Sequence, residues 1–262
     1  MAYLTVRSIF VLLISCVVLA MPAHSSEKQA SEAKAVVENN ASMIERKLSA
    51  ARPDLAFKVL GQSLLPGLYE VQIDGGPLIF VSKGGDYFID GNLYQITSTQ
   101  FVDLKEVRLK AVRREIFSKL NPDEMIVFKP AGESKAIMNV FTDIDCGYCR
   151  KLHKEVPALN AMGVEVRYLA YPRAGLESES YLKIATAWCA DDPAQTLTDF
   201  KKGKNRSISV CADNPVAEHF QLGASIGVNG TPATVLMDGT LLPGYRTAAD
   251  FAELLGLEIQ SN

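Results

Sequence analysis

The stretch IMNVFTDIDCGYCRKLH, residues 137–153, decides how this chain is read. An apolar run over 137–142 has the length and texture of a buried strand, and residues 150–162 carry helical spacing. Between them lies Cys146-Gly147-Tyr148-Cys149. The first thiol of such a pair stands at a helix N-terminus, where partial positive charge and free N–H groups favour thiolate over thiol. The second lies one turn on, close enough to close a small disulfide ring. This geometry suits thiol–disulfide exchange, so the segment points to redox chemistry. Cys146 is expected to attack, and Cys149, inside the first turn, to be the more buried. Gly147 lets a substrate backbone approach, and Tyr148 adds a flat side chain at the rim. Arg150, Lys151, His153 and Lys154 follow closely: cations there favour a thiolate, or simply form a solvated face.

Working outward, the 262 residues exceed one average domain, and two modules are expected. A hydrophobic content of 48% with 22% charged residues fits a soluble globular protein. A net charge of −3 gives no electrostatic case for nucleic acid or for an anionic membrane surface. The N-terminus reads as an export signal: Arg7, an apolar run over 9–20, then Ala23-His24-Ser25, with cleavage expected after Ser25. The run is too short for a comfortable span of roughly 20 residues. Removing 1–25 leaves 26 cations against 30 anions, a mature charge of −4. Leu13-Ile14-Ser15-Cys16 also matches a lipoprotein cleavage pattern, which would make Cys16 a lipidated N-terminus; the apolar run continuing past it argues for the uncleaved core.

Without Cys16 four cysteines remain, Cys146, Cys149, Cys189 and Cys211. They allow three connectivities; the simplest joins 146 to 149 and leaves 189 and 211, a loop whose closure contributes about 3 kcal/mol. The competing use is zinc, with His153 or His219 completing a ligand set. No second Cys-x-x-Cys or His-x₃₋₅-His is present, so neither metal nor cofactor is expected.

Residues 29–50 are compatible with an amphipathic helix that ends before Pro53. Four short β-like runs follow, 57–60, 68–73, 78–81 and 87–89, divided by turn signals such as Pro66-Gly67 and Asp74-Gly75-Gly76-Pro77. This is a small meander, too small to bury much surface alone, and its open edge is an obvious seam for a second copy. Thr97 or Thr99 is expected to cap a helix over 100–120. Leu104, Val107, Val112 and Ile116 form its apolar stripe, while Lys105, Arg108, Lys110, Arg113 and Arg114 keep the other faces solvated. Such a helix either bridges solvent between domains or packs on one of them. Strands over 125–129 and 137–142, the Cys-x-x-Cys helix and a strand over 164–171 make a strand–helix–strand unit with a right-handed crossover. Residues 177–227 are largely helical; a hairpin of 233–237 and 240–242 and a helix over 248–255 finish the chain. That order is thioredoxin-like. In such a fold the loop carrying Thr231-Pro232 abuts the dithiol, and a cis bond there turns the Thr231 backbone toward a substrate chain. Trp188, beside Cys189, reads as core packing.

The segments 141–153, 166–173 (Val-Arg-Tyr-Leu-Ala-Tyr-Pro-Arg), 187–190 (Ala-Trp-Cys-Ala), 230–233 (Gly-Thr-Pro-Ala) and 66–71 (Pro-Gly-Leu-Tyr-Glu-Val) together resemble the DsbC/DsbG family of periplasmic disulfide isomerases. Within it, Gly147-Tyr148 is similar to the isomerase branch rather than the branch with Pro-Tyr. The resemblance implies an α/β fold: a thioredoxin-like C-terminal domain with a helical insertion, and a small N-terminal α+β (cystatin-like) dimerisation domain joined by a linker helix. It implies the domain order 1–25 signal peptide, 26–98 dimerisation domain, 99–120 linker helix and 121–262 catalytic domain, in a V-shaped homodimer. It carries the nucleophile onto Cys146, the resolving thiol onto Cys149, substrate contacts onto Gly147, Tyr148, Thr231 and the cis-proline Pro232, and a structural disulfide onto Cys189–Cys211. The implied partners are misfolded disulfide-containing exported proteins and the membrane thiol reductase DsbD; the implied place is the periplasm. The implied activity is isomerisation or reduction of wrong disulfides, with a chaperone function. Two other functions remain in play: a dithiol oxidase, and a holdase chaperone that needs no thiol.

Overall fold

A computed structural model of the chain describes residues 24–74 and 76–257. The export segment expected at 1–25, with Cys16, lies outside them apart from 24 and 25, which open the first helix. The chain divides into two compact units, 1–90 and 91–262.

In the first unit α1 (His24–Ala51) packs on a four-stranded antiparallel sheet of β1 (Phe57–Gln62), β2 (Leu68–Ile73), β3 (Leu78–Ser82) and β4 (Phe88–Asp90), ordered 1-2-3-4. The glycine-bearing turns anticipated from sequence separate these strands, and period-2 burial puts Tyr69, Val71, Ile79 and Val81 on one face against Ile44 of the helix. The Tyr69 hydroxyl, at the centre of this small core, accepts hydrogen bonds from Asn40 and Gln62. The β4 residues are exposed.

The second unit opens with a hairpin absent from the sequence expectation: β5 (Tyr94–Ile96) pairs with β6 (Phe101–Asp103). Thr97 closes its turn, donating from N and Oγ1 to the Gln100 carbonyl, rather than capping a helix. The helix expected from residue 100 therefore starts later, as α2 (Leu104–Lys119), and Asp103 caps it by accepting from the N–H groups of Lys105 and Glu106. Replacing Asp103 with Ala should cost about 1 kcal/mol in urea unfolding, the usual worth of such a cap; a loss within error would show that the hairpin, not the cap, holds the helix start.

The stripe expected on α2 holds at Leu104, which is buried, and at Ile116, which packs on the core, and is corrected between them. Val107 and Val112 are exposed, whereas Arg113, assigned to a solvated face, is 0% exposed. Its Nε and Nη1 donate to the carbonyls of Gly239 and Ile226, and it pairs with Glu106. Phe117 of the same helix meets Phe141 edge-on. The helix is thus a packed layer of the second unit.

The sheet that it covers runs β11-β10-β8-β9-β7. Its strands are β7 (Ile126–Phe128), β8 (Ala136–Thr142), β9 (Val164–Ala170), β10 (Ala233–Leu236) and β11 (Leu241–Pro243). The two central strands, β8 and β9, are parallel and joined by α3 (Gly147–Ala161); their other neighbours are antiparallel. Each face of β8 feeds its own core. Met138 and Val140 point toward Leu152, Val156 and Leu159 of α3, and Phe141 toward Phe117, Leu169 and Ile226. Between β9 and β10 the chain makes three helices, α4 (Glu179–Trp188), α5 (Pro193–Lys201) and α6 (Val216–Ser225), and α7 (Ala248–Leu255) ends it. Trp188 packs partly buried against the main core, its indole N–H on the Glu124 carbonyl. Among the described residues no helix is long and apolar enough to cross a membrane.

Candidate active site

Strand β8 ends at Thr142, and four residues later Cys146 caps α3 from extended backbone (φ −79°, ψ 118°). Its Sγ accepts from the Cys149 N–H at 3.4 Å and faces the Thr231 carbonyl at 3.2 Å. Thr231 stands on the loop before β10; the Thr231–Pro232 peptide is cis, and Pro232 is buried. Four of the residues singled out from sequence, Cys146, Cys149, Thr231 and Pro232, therefore form one site. Gly147 and Tyr148 flank it on the surface. A Cβ added at Gly147 would touch nothing, and Tyr148 is 60% exposed with the Lys151 ammonium 5.2 Å from its ring centre. Cys189 and Cys211 are joined to each other elsewhere, between the end of α4 and the loop before α6, with Cα atoms 5.6 Å apart.

Both thiols of the pair are free and shielded, Cys146 2% and Cys149 1% exposed. Cys149 is the deeper of the two, as expected from its place inside the first turn, and electrostatics separates them further. The Cys149 thiol donates toward Cys146 Sγ and contributes most to pulling the Cys146 thiol down to about 5, outweighing burial. The Thr231 hydroxyl adds to this: Oγ1 is buried without another partner, so it is available as a donor to a thiolate. The Cys149 backbone N–H and the Arg173 guanidinium complete the set. Burial, reinforced by the neighbouring Cys146, drives the Cys149 thiol far above its ordinary value. At neutral pH the charge therefore sits on Cys146 and the proton on Cys149.

Of the cations that follow the pair, Lys151 and Lys154 lie on the solvated face, the second of the two readings, and the other two are used differently. Arg150 turns back to the Ile144 carbonyl and Asp145. His153 is a core residue: its ring nitrogens meet the Tyr168 hydroxyl and Thr198 Oγ1, its ring packs edge-on to Phe128, and burial lowers its pKa to about 3. The cation that acts on Cys146 is Arg173, from the loop after β9. Asp143 holds it, accepting from the Arg173 backbone N–H at 2.9 Å and from Nε at 3.2 Å. Burial would push the Asp143 carboxyl up, yet bonds from Ser180, Arg173 and Asp145 hold it below its usual value. A third charged group, Lys201 at the end of α5, is buried beneath the dithiol. None of these three had a role in the sequence reading. Lys201 had one available signal: it lies four residues after Leu197 and beside Phe200, on that helix's core face.

The Cys146 shift has a measurable sign. Iodoacetamide labelling of the reduced protein should run at its plateau at neutral pH and fall to half near pH 5. Because the folded value lies below the unfolded one of about 8.5, the thiolate stabilises the reduced fold fully above the unfolded value. That contribution declines on acidification and is lost as pH falls through about 5. Labelling that halves near pH 8 would mean that the neighbours do not act on the sulfur.

Comparison with known proteins covers both units. Residues 25–106 match the family described as disulfide bond isomerase protein N-terminal domain, and residues 122–257 match the thioredoxin-like domain family. The thiol:disulfide interchange protein DsbC of Escherichia coli K12 is 38% identical over 191 residues, 72% of this chain and 77% of its own. That of Haemophilus influenzae is 36% identical over 214 residues, 81% of this chain and 88% of its own. A solved disulfide interchange protein from Neisseria gonorrhoeae is 34% identical and aligns with 55% of this chain and 100% of its own, with a TM-score of 0.47.

Proposed function

Since this chain belongs to the DsbC family of thiol:disulfide interchange proteins, we propose that its Cys146-Gly147-Tyr148-Cys149 dithiol reshuffles wrong disulfides in exported proteins. The observation that carries this reading is the placement of Cys146, which caps α3 with its Sγ on the Cys149 N–H and against the Thr231 carbonyl; these neighbours hold its thiol low, at about 5, while burial raises Cys149. The Cys146 thiolate attacks a substrate disulfide; its Sγ bonds to one substrate sulfur while the other leaves as a thiolate. If that thiolate or another substrate thiol then attacks the mixed disulfide, electrons return to Cys146 and the substrate is isomerised. If Cys149 attacks, the enzyme disulfide closes and the substrate leaves reduced. Arg173 and the Thr231 hydroxyl stabilise the Cys146 charge, and the segment at Thr231 and Pro232 borders the sulfur that a substrate chain must reach.

The same reading places the mature chain, from residue 26, in the periplasm as a homodimer built through residues 26–98, with residues 99–120 linking to the catalytic domain at 121–262. The exposed β4, with Phe88 and Ile89 facing solvent, supports a sheet-edge seam. The membrane reductase DsbD keeps the dithiol reduced, and an apolar surface shared by two copies lends a chaperone activity to unfolded chains. A dithiol oxidase is the alternative. Refolding of scrambled ribonuclease separates them: the reduced protein should accelerate it, whereas activity from the oxidised form alone would establish the oxidase. Light scattering of the mature chain should give twice its mass, and a monomer would remove the dimer from the reading.

A further inference from the structure

Lys201 is the one buried cation at the dithiol that the proposed cycle leaves unused. It ends α5, on the core face with Leu197 and Phe200, and is 5% exposed. Its Nζ donates to Thr142 Oγ1 at 2.7 Å and lies 5.4 Å from the centre of the Tyr168 ring. Among the described residues it has no carboxylate within ion-pair distance. A buried ammonium held by one hydroxyl and a ring face is costly, and an apolar side chain of its size would fill the space more cheaply. Of the charges that act on it, that of Cys149 is the largest. The residue after Thr142, Asp143, donates its backbone N–H to Cys149 Sγ at 3.5 Å. Tyr168 borders both the ammonium and Cys149.

We propose that Lys201 is a positioning residue for the second half of the reaction: its buried ammonium stabilises the thiolate of Cys149 as that sulfur resolves the mixed disulfide. The inference rests on the disulfide-exchange reading above. The step balances within the complex. Cys149 gives up its proton and attacks Cys146 Sγ; the 149–146 bond forms as the bond from Cys146 to the substrate sulfur breaks. The enzyme dithiol is oxidised, the substrate sulfur is reduced, and the proton ends on the departing thiol. Burial holds Cys149 protonated at rest, and a nearby cation lowers the cost of losing that proton as the sulfur attacks. Lys201 therefore sets how readily a bound substrate is released by reduction instead of being left for isomerisation.

The charges around Lys201 fit this use. Acting on it are Cys146 at the cap of α3, Cys149 and Arg150 within that helix and Asp143 from the loop after β8; His153 of α3 and Tyr168 of β9 also feel its charge or border it, and Lys202 follows it in the chain. Burial lowers Lys201 to about 8, opposed by Cys149, Asp143 and Cys146, and Lys201 in turn draws Cys149 downward. The neutral imidazole of His153 adds no competing cation.

The test separates the two halves of the cycle in the full reduced protein, mixed with a disulfide-bonded peptide, acid-quenched and read by mass. Lys201→Met should form the mixed disulfide within about twofold of the wild-type rate. It should resolve it about tenfold more slowly at neutral pH, with the pH profile of resolution moved up by about one unit, the scale at which one unit equals tenfold. Lys201→Gln, which removes the charge but keeps a polar, hydrogen-bonding side chain, should behave alike and serves where the Met variant fails to fold. Unchanged resolution and an unchanged pH profile in either folded variant would overturn the proposal, as would equal slowing of both halves. Failure of the disulfide-exchange reading looks different: the wild-type protein would form no mixed disulfide at all.

Discussion

Cys146→Ala should abolish the refolding of scrambled ribonuclease by the reduced protein, lowering the rate at least about a thousandfold to that of buffer, as deletion of a nucleophile does. The residue carries every stabilising contact of the exchange thiolate: the Cys149 thiol and N–H, the Thr231 hydroxyl and the field of Arg173. Cys149 cannot take over, because burial holds its proton in place. Cys149→Ala should fail differently. The largest contribution to the low Cys146 value disappears, so the labelling profile moves up toward an ordinary thiol, and mixed disulfides accumulate for want of a resolving sulfur. Isomerisation by substrate thiols should persist in part. If scrambled ribonuclease is still refolded at the wild-type rate by Cys146→Ala, the protein acts as a thiol-independent holdase and the dithiol chemistry falls.

The parts of this arrangement that the sequence made legible are those fixed by near neighbours. The apolar run of β8, followed at once by a cysteine pair, marks strand, cap and helix within 17 residues because each signal is local. The N-terminal meander could be read for the same reason: glycine-rich turns bracket each strand. What escaped depends on partners far along the chain. Asp143 lies inside the diagnostic segment, but its work is to hold Arg173, 30 residues on, and Ser180. Lys201 sits among Lys202, Lys204 and Arg206, and composition cannot say which of four cations turns inward. At α2 the local signals misled. Thr97 has a capping residue's chemistry but spends its hydroxyl on a hairpin turn, and Asp103 was the better cap. Helical spacing suggested an apolar stripe of Leu104, Val107, Val112 and Ile116, of which the two valines face water.

That last difference yields the second large effect. Arg113 and Arg114 are adjacent in α2 and indistinguishable by residue type, yet Arg113 is sealed and Arg114 is exposed. Arg113→Ala removes a large side chain from a closed site and strands the carbonyls of Gly239 and Ile226 without their donors. The expected loss is about 3–5 kcal/mol, as for a broken buried charged network. Arg114→Ala should stay within about 0.5 kcal/mol. Arg113→Lys should recover little, since one ammonium does not reproduce the planar fork that serves two carbonyls and Glu106 together. The partner position makes an independent test. Gly239 has φ +87°, and a Cβ there would lie 1.9 Å from the Lys110 carbonyl and 2.9 Å from the Arg114 nitrogen, both backbone atoms of α2. Gly239→Ala therefore strains its own turn and pushes the helix away, at a cost comparable to losing Arg113. Urea unfolding followed through Trp188, which packs in the same unit, reads both. Equal stability of the Arg113 and Arg114 variants would show that α2 contributes nothing to that unit. A selective loss at Arg113 and Gly239 would make the helix a fixed part of the body that carries Cys146.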